Sequence, residues 1–194
     1  MTRRFLAAAA AAFALSAAPA FAHLDPTEHG SMMAGITHPL SGLDHVLVMV
    51  AVGLWAAQMG GRAILAVPTA FVVTMALGFA LALSGLHLPF VEPAILASIV
   101  ALGLLVAMAV RMPVAAGAGV VGIFALFHGY AHGGELGAAT ALPFGLGFAI
   151  STAALHAAGI GLGLMIGRMG NASLVSRFLG AATAVTGAAL FVAG

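Results

Sequence analysis

The sequence predicts an all-α fold, a polytopic membrane bundle of six transmembrane helices that follows a cleaved signal peptide. Of its 194 residues, 63% are hydrophobic and only 6% are charged, a composition that no soluble domain could cover with polar groups. Six apolar runs of roughly spanning length follow an N-terminal export signal, and the arginines fall on alternate connections between them. These three observations together predict the class.

The N-terminal 22 residues have the arrangement of a secretory signal peptide. Two arginines precede a short apolar run from Phe5 to Leu15, and the small-x-small triplet Ala20-Phe21-Ala22 lies where signal peptidase cleaves. An uncleaved membrane anchor is the alternative, but the apolar run is short for that role. We therefore expect residues 1–22 to be removed and residues 23–194 to form the membrane domain, starting in the periplasm.

The apolar runs are separated by short breaks rich in glycine, proline or polar residues. In chain order they are Leu40 to Met59, Ala63 to Leu83, Pro93 to Val110, Val114 to Tyr130, Leu142 to Ile166 and Leu174 to Val192. If the domain starts outside, the cytoplasmic connections are the first, third and fifth. These connections hold Arg62, Arg111, Arg168 and Arg177, as the positive-inside rule requires. We expect a multi-pass protein of the bacterial inner membrane with both termini in the periplasm.

Composition also excludes several kinds of function. The chain has no lysine and its six arginines are scattered, so a nucleic-acid partner is not expected. Cysteine is absent, which removes disulfides and thiolate metal sites and leaves His, Asp and Glu as the main ligands for a metal. Nothing resembles a phosphate-cradling Walker loop, so ATP hydrolysis by this chain is not expected.

The titratable residues collect on the predicted outer side of the membrane. All five carboxylates and seven of the eight histidines lie there, and the exception is His156. The positive-inside rule says little about Asp and Glu and nothing about His, so it does not account for this distribution. A face that collects cations does, and the expected partners are a divalent metal ion and the lipid bilayer.

The first ligand group lies at the start of the first predicted span. His38 and His45 fall on nearly one face of a helix, with Asp44 to one side and Pro39 in the expected first turn. About 10 Å of helix axis separates the two histidines at 1.5 Å per residue. A shared ion therefore requires the first turn to unwind or a second helix to contribute a ligand. The alternative is an Asp–His pair that satisfies itself at the interface.

The second ligand group lies at the outer end of the fourth predicted span. His128 and His132 are four residues apart and share a face, which suits chelation of one divalent ion. Glu135 returns to that face if the helix persists, or lies on a loop over the site if Gly133 and Gly134 weaken the last turn. Gly129 is expected to admit the first span. Histidines that only cap the helix C-terminus are the alternative.

Two features of the fifth predicted span stand apart from these groups. His156 lies near mid-membrane, where a transport relay and a hydrogen-bonded core residue are equally good interpretations. The stripe Gly159-x3-Gly163-x3-Gly167 lets another helix backbone approach closely. That packing occurs either within one subunit or between copies, so a homo-oligomer stays open.

These motifs resemble those of the HupE/UreJ family. The matching boxes are His38-x5-Asp44-His45 in the first span and the box from Phe127-His128-Gly129 to Glu135 in the fourth, after an exported N-terminus. The resemblance covers the whole chain. It implies a nickel permease, or in some members a cobalt permease, of the inner membrane, linked to the supply of hydrogenase or urease. The functional positions it implies are His38, Asp44, His45, His128 and Glu135, to which helix geometry adds His132.

Two main functional hypotheses follow, and a metal sensor or storage subunit that binds an ion without transporting it is a third possibility. The first is uptake of Ni²⁺ or Co²⁺ as transported substrate, by a protein that is not an enzyme and needs no cofactor, with passage inward past His156. Imidazole and carboxylate ligands suit nickel, cobalt, zinc and copper alike, so the named metals come from the resemblance. The alternative is an intramembrane zinc hydrolase in which Ser41, Asp44 and the histidines surround a zinc-bound water.

Overall fold

A computed structural model describes residues 31–134, 136 and 138–193 of the chain. The predicted signal peptide (1–22) and Glu135 lie outside these residues. Within them every regular element is an α-helix and no strand occurs. The helices are α1 (Met32–Ser41), α2 (Leu43–Met59), α3 (Ala63–Leu83), α4 (Val91–Ala107), α5 (Val114–Gly133), α6 (Ala138–Gly167) and α7 (Ala172–Ala193). The all-helical part of the prediction is therefore confirmed for the described residues.

By length and composition, four of these helices can cross a membrane: α3, α5, α6 and α7. A fifth span is formed if α1 and α2 are counted together, although these two helices are bent by 84° at their junction. Helix α4 is also apolar but has only 17 residues, somewhat short of the usual spanning length. The described residues thus hold four to five candidate spans, and a count of six stays a prediction.

The break between α1 and α2 corrects the prediction for the first span. The sequence predicted one continuous helix with Pro39 in its first turn, but Pro39 lies near the C-terminal end of α1, whose N-cap is Ser31. The Ser31 hydroxyl accepts a hydrogen bond from the Ala34 amide at 2.9 Å, which favours an early helix start. Gly42 then adopts an extended conformation and a new helix begins with Asp44 in its first turn.

Close backbone contacts at glycines join the helices in pairs. A Cβ on Gly53 or Gly159 would collide with the backbone of the other helix, so α2 and α6 touch along their length. In the same way, a Cβ on Gly78 of α3 would collide with the backbone of α5, and a Cβ on Gly129 of α5 would collide with the backbone of α3. In each pair, later residues of one helix contact later residues of the other, so the two helices run parallel. Such small-residue contacts are typical of membrane bundles.

Helix α2 lies at the centre of the bundle, since residues on every side of it are buried. Trp55, near its C-terminal end, is fully buried and donates a hydrogen bond from Nε1 to the Val110 carbonyl at 2.8 Å. His45, by contrast, lies in the first turn of α2, and Arg62 follows its last turn. His45 and this arginine therefore lie at opposite ends of α2.

Candidate metal centre

Three histidines from three helices converge at one end of the bundle. His38 of α1, His45 of α2 and His132 of α5 each offer a ring nitrogen, and these atoms all lie within 4.8 Å of one another. We call these residues the histidine triad. The bend at Gly42 makes this possible, because it turns α1 back over the first turn of α2. Of the two alternatives that the sequence allowed, the second occurs, since a second span contributes a ligand; in place of an unwound first turn, the predicted helix is interrupted at Gly42.

Asp44 orients one member of the triad. Its carboxylate lies 3.0 Å from His45 Nδ1, so this nitrogen donates to the carboxylate and Nε2 is left for the triad. His45 Nε2 lies 2.7 Å from His132 Nε2, a hydrogen bond in which one ring carries the proton. An ion bound between the two nitrogens at bonds of about 2.1 Å needs them about 3.0–3.4 Å apart. A small outward rotation of either ring provides that space.

Aromatic side chains of α6 form one wall of the triad. The Phe148 ring lies 4.8 Å from the His132 ring between centroids, and Phe144 lies 5.8 Å from His38. His45 and His132 are buried, and His38 is half-buried. Three nitrogen ligands in a mainly apolar pocket would leave further coordination positions of a metal open to water or another ligand.

His128 lies one helical turn below His132 and outside the triad. Its ring contacts the His45 ring at 5.5 Å, and its Nδ1 donates to the Phe124 carbonyl at 3.0 Å. That hydrogen bond leaves Nε2 as the free ligand atom, buried and without a hydrogen-bond partner among the described residues. The structure thus brings His128 beside the triad without making it a member.

The remaining residues predicted for the site, Glu135, His156 and Gly129, lie outside the triad. Helix α5 ends at Gly133, as expected if the two glycines weaken its last turn, and Glu135 lies outside the described residues. His156 is buried on α6 at the level of Gly53, eight residues beyond His45 along α2. Gly129 was predicted to admit the first span, and this is wrong: a Cβ there would collide with the Met75 carbonyl, so it admits α3. The parallel pairing of α3 and α5 places that face of α5 against α3.

Comparisons with known proteins give the same family that the two histidine motifs resemble. A family model described as HupE / UreJ protein matches residues 11–190. The chain belongs to the HupE/UreJ family. Protein HupE of Rhizobium leguminosarum bv. viciae is 48% identical over 179 residues, which cover 91% of this chain and 93% of that protein. No solved structure matches the chain significantly. The predicted family is thereby confirmed, and with its apolar helices the chain is a multi-pass membrane protein.

In this HupE/UreJ protein, sequence reasoning missed the aromatic wall of the site. Phe144 and Phe148 are followed at the same spacing by Thr152 and His156, so all four lie on one face of α6. All four are almost completely buried. The four-residue spacing up to His156 was the available signal. It was hidden because α6 is apolar on every side, so its inward face does not stand out by hydrophobicity.

Proposed function

We propose that this protein takes up a divalent transition-metal ion, Ni²⁺ or Co²⁺, from the periplasm across the inner membrane. The observation that carries the proposal is the histidine triad, which assembles three imidazoles from three helices at one end of an apolar bundle. A buried cluster of polar rings in a membrane protein is costly unless it serves a ligand. Neutral imidazole nitrogens with open coordination positions are suited to nickel and cobalt.

The proposed direction of transport rests on the distribution of charges. The parallel pairing of α2 with α6, and of α3 with α5, agrees with a six-span topology in which odd spans run inward and even spans outward. In that topology the arginine at the end of α2 is cytoplasmic and the triad is periplasmic. The termini are then both outside, and α4 counts as a span. Nickel or cobalt delivered this way would serve hydrogenase or urease maturation, as the family resemblance implies.

The zinc-hydrolase alternative has no specific support among the described residues. Ser41, which that mechanism needs beside the metal, is exposed, and its hydroxyl donates to the His38 carbonyl at 2.8 Å. We therefore propose a permease and not an enzyme. Ser41→Ala is expected to leave metal uptake close to that of the wild-type chain, whereas it would abolish a reaction that uses this hydroxyl.

Uptake by the purified protein in proteoliposomes tests the proposal. Wild-type protein is expected to accumulate radiolabelled Ni²⁺ or Co²⁺ above the level of empty liposomes. His132→Ala removes a triad ligand and is expected to lower uptake more than about tenfold, since even the loss of an outer-shell partner of a metal site costs 10–100-fold. His87→Ala is the matched control, because His87 is an exposed histidine outside the triad. Wild-type vesicles that accumulate neither metal would sink the proposal.

A further inference from the structure

His156 is a buried histidine for which neither sequence motif provides a role. Its side chain is 1% exposed, and neither ring nitrogen has a hydrogen-bond partner among the described residues. Buried polar groups in native proteins are nearly always hydrogen-bonded, and an exception calls for an explanation. At the depth of a membrane span this holds with greater force, because no water compensates the ring.

The position of His156 lies on a line that leads inward from the triad. A Cβ on Gly53 would collide with the His156 carbonyl, so His156 lies at the level of Gly53, eight residues along α2 from His45. At 1.5 Å per residue this is about 12 Å inward from His45. His128 lies between, about 6 Å inward from His132 along α5 by the same rise. Imidazoles thus recur at about one-turn steps.

The rings of His128 and His156 share Phe71 as a neighbour. The Phe71 ring on α3 lies 5.8 Å from the His128 ring and 5.0 Å from the His156 ring between centroids. His128 Nε2 is also buried without a partner among the described residues, as is the hydroxyl of Ser151. His128 and His156, about one helical turn apart in depth, therefore bound a buried layer in which two imidazoles have unused lone pairs.

A thioether lies in the same layer. Thr152, one turn above His156, donates from Oγ1 to Met75 Sδ at 3.7 Å, and Met75 lies one turn from Phe71 on α3. Imidazole nitrogen and thioether sulfur are ligands for late transition metals and poor partners for Na⁺, Mg²⁺ or Ca²⁺. The chemistry of this layer therefore matches the cargo proposed for the triad.

We propose that His128 and His156 form a second, inner metal site that receives the ion from the histidine triad and passes it on toward the cytoplasm. The inference rests on the proposed uptake function and adds a site to it. The two carboxylates in the described part of the chain, Asp44 and Glu92, lie in the first turns of α2 and α4, and Asp44 pairs with His45 of the triad. With neutral ligands and no carboxylate, the inner site holds a divalent ion weakly, and weak binding allows release.

Kinetics separate the inner site from capture at the triad. His156→Ala is expected to lower the maximal rate of Ni²⁺ or Co²⁺ uptake by about tenfold or more while KM changes less than about twofold, because capture at the triad is intact. His132→Ala is expected to raise KM instead. Co-reconstituted amounts and thermal unfolding of each variant are measured, so that a folding defect is recognised.

The absence of cysteine from the chain permits a direct test of ligation. His156→Cys introduces a single thiol, which can replace imidazole as a metal ligand. This variant is expected to recover uptake to about half the wild-type rate, and with added Co²⁺ the purified variant is expected to show thiolate-to-cobalt charge-transfer absorption. Ala157→Cys is the matched control, at the same depth but on the exposed face of α6, and is expected to show no such absorption.

The outcomes distinguish this inference from the proposed function. If wild-type protein transports and His156→Ala keeps its maximal rate, the inner site is refuted and uptake through the triad stands. If both His156 variants are slow and the cobalt absorption is missing, His156 only supports the fold and the inference is equally overturned. If wild-type protein transports neither metal, the proposed function fails first.

Discussion

Gly42→Ala is expected to weaken metal capture through the Asp44–His45 pair. A Cβ on Gly42 would lie 2.7 Å from Asp44 Oδ1 and 2.9 Å from His45 Nδ1, where ordinary contact begins at 3.4 Å. The carboxylate must therefore move by about 0.7 Å, enough to lose the 3.0 Å interaction that orients His45. Backbone strain contributes nothing, because Gly42 has φ −88° and ψ 118°, which any residue adopts.

The magnitude follows from the role of the carboxylate as an outer-shell partner. Losing such a partner lowers metal affinity or activity 10–100-fold, so we expect the KM for uptake in proteoliposomes to rise about tenfold. Asp44→Asn is expected to give a similar rise. Gly161→Ala is the control, because nothing lies within 4 Å of a Cβ at that position of α6. If Asp44→Asn raises KM and Gly42→Ala does not, the steric reasoning is refuted.

Three further outcomes test the packing around the site. Tyr130→Phe removes the hydroxyl that accepts from the Leu88 amide at 3.0 Å, and hydrogen exchange at that amide is expected to speed up. Gly129→Ala forces α5 away from the Met75 carbonyl, and equilibrium dialysis is expected to show loss of Ni²⁺ binding. Binding at the wild-type level would contradict the close contact between α3 and α5. Trp55→Phe removes the hydrogen bond to the Val110 carbonyl, which is partly buried, and is expected to destabilise the protein by about 0.5–1.5 kcal/mol, measured by denaturation in detergent.

Much of the helical architecture could be predicted from the sequence because lipid imposes strong rules on it. Ala63–Leu83 was bounded correctly at both ends, since Gly60-Gly61 and Ser84-Gly85 interrupt the apolar run. Two of the three glycines in the stripe of α6 have the predicted role, as Gly159 and Gly163 contact α2 within the same chain, whereas nothing lies within 4 Å of a Cβ at Gly167. The apolar composition of the runs and the glycine and serine residues between them carry this information locally.

The site was harder to predict because it depends on contacts between distant elements. The sequence showed that His38 and His45 could not share an ion on a straight helix, but it did not reveal that Gly42 breaks the helix. It also paired Gly129 with the wrong helix, since a small residue indicates close approach without naming the partner. Which ring nitrogens converge is decided by tertiary packing, which a single sequence does not encode in readable form.

The glycine contacts described above divide the ligands between two bodies. Helices α1, α2 and α6 form one closely packed unit, which carries His38, His45 and His156, while α3 and α5 form another, which carries His128 and His132. Both proposed metal sites thus lie on the seam between units. An ion bound at either proposed site would take ligands from both units and so hold them together, and this link would be lost when the ion leaves.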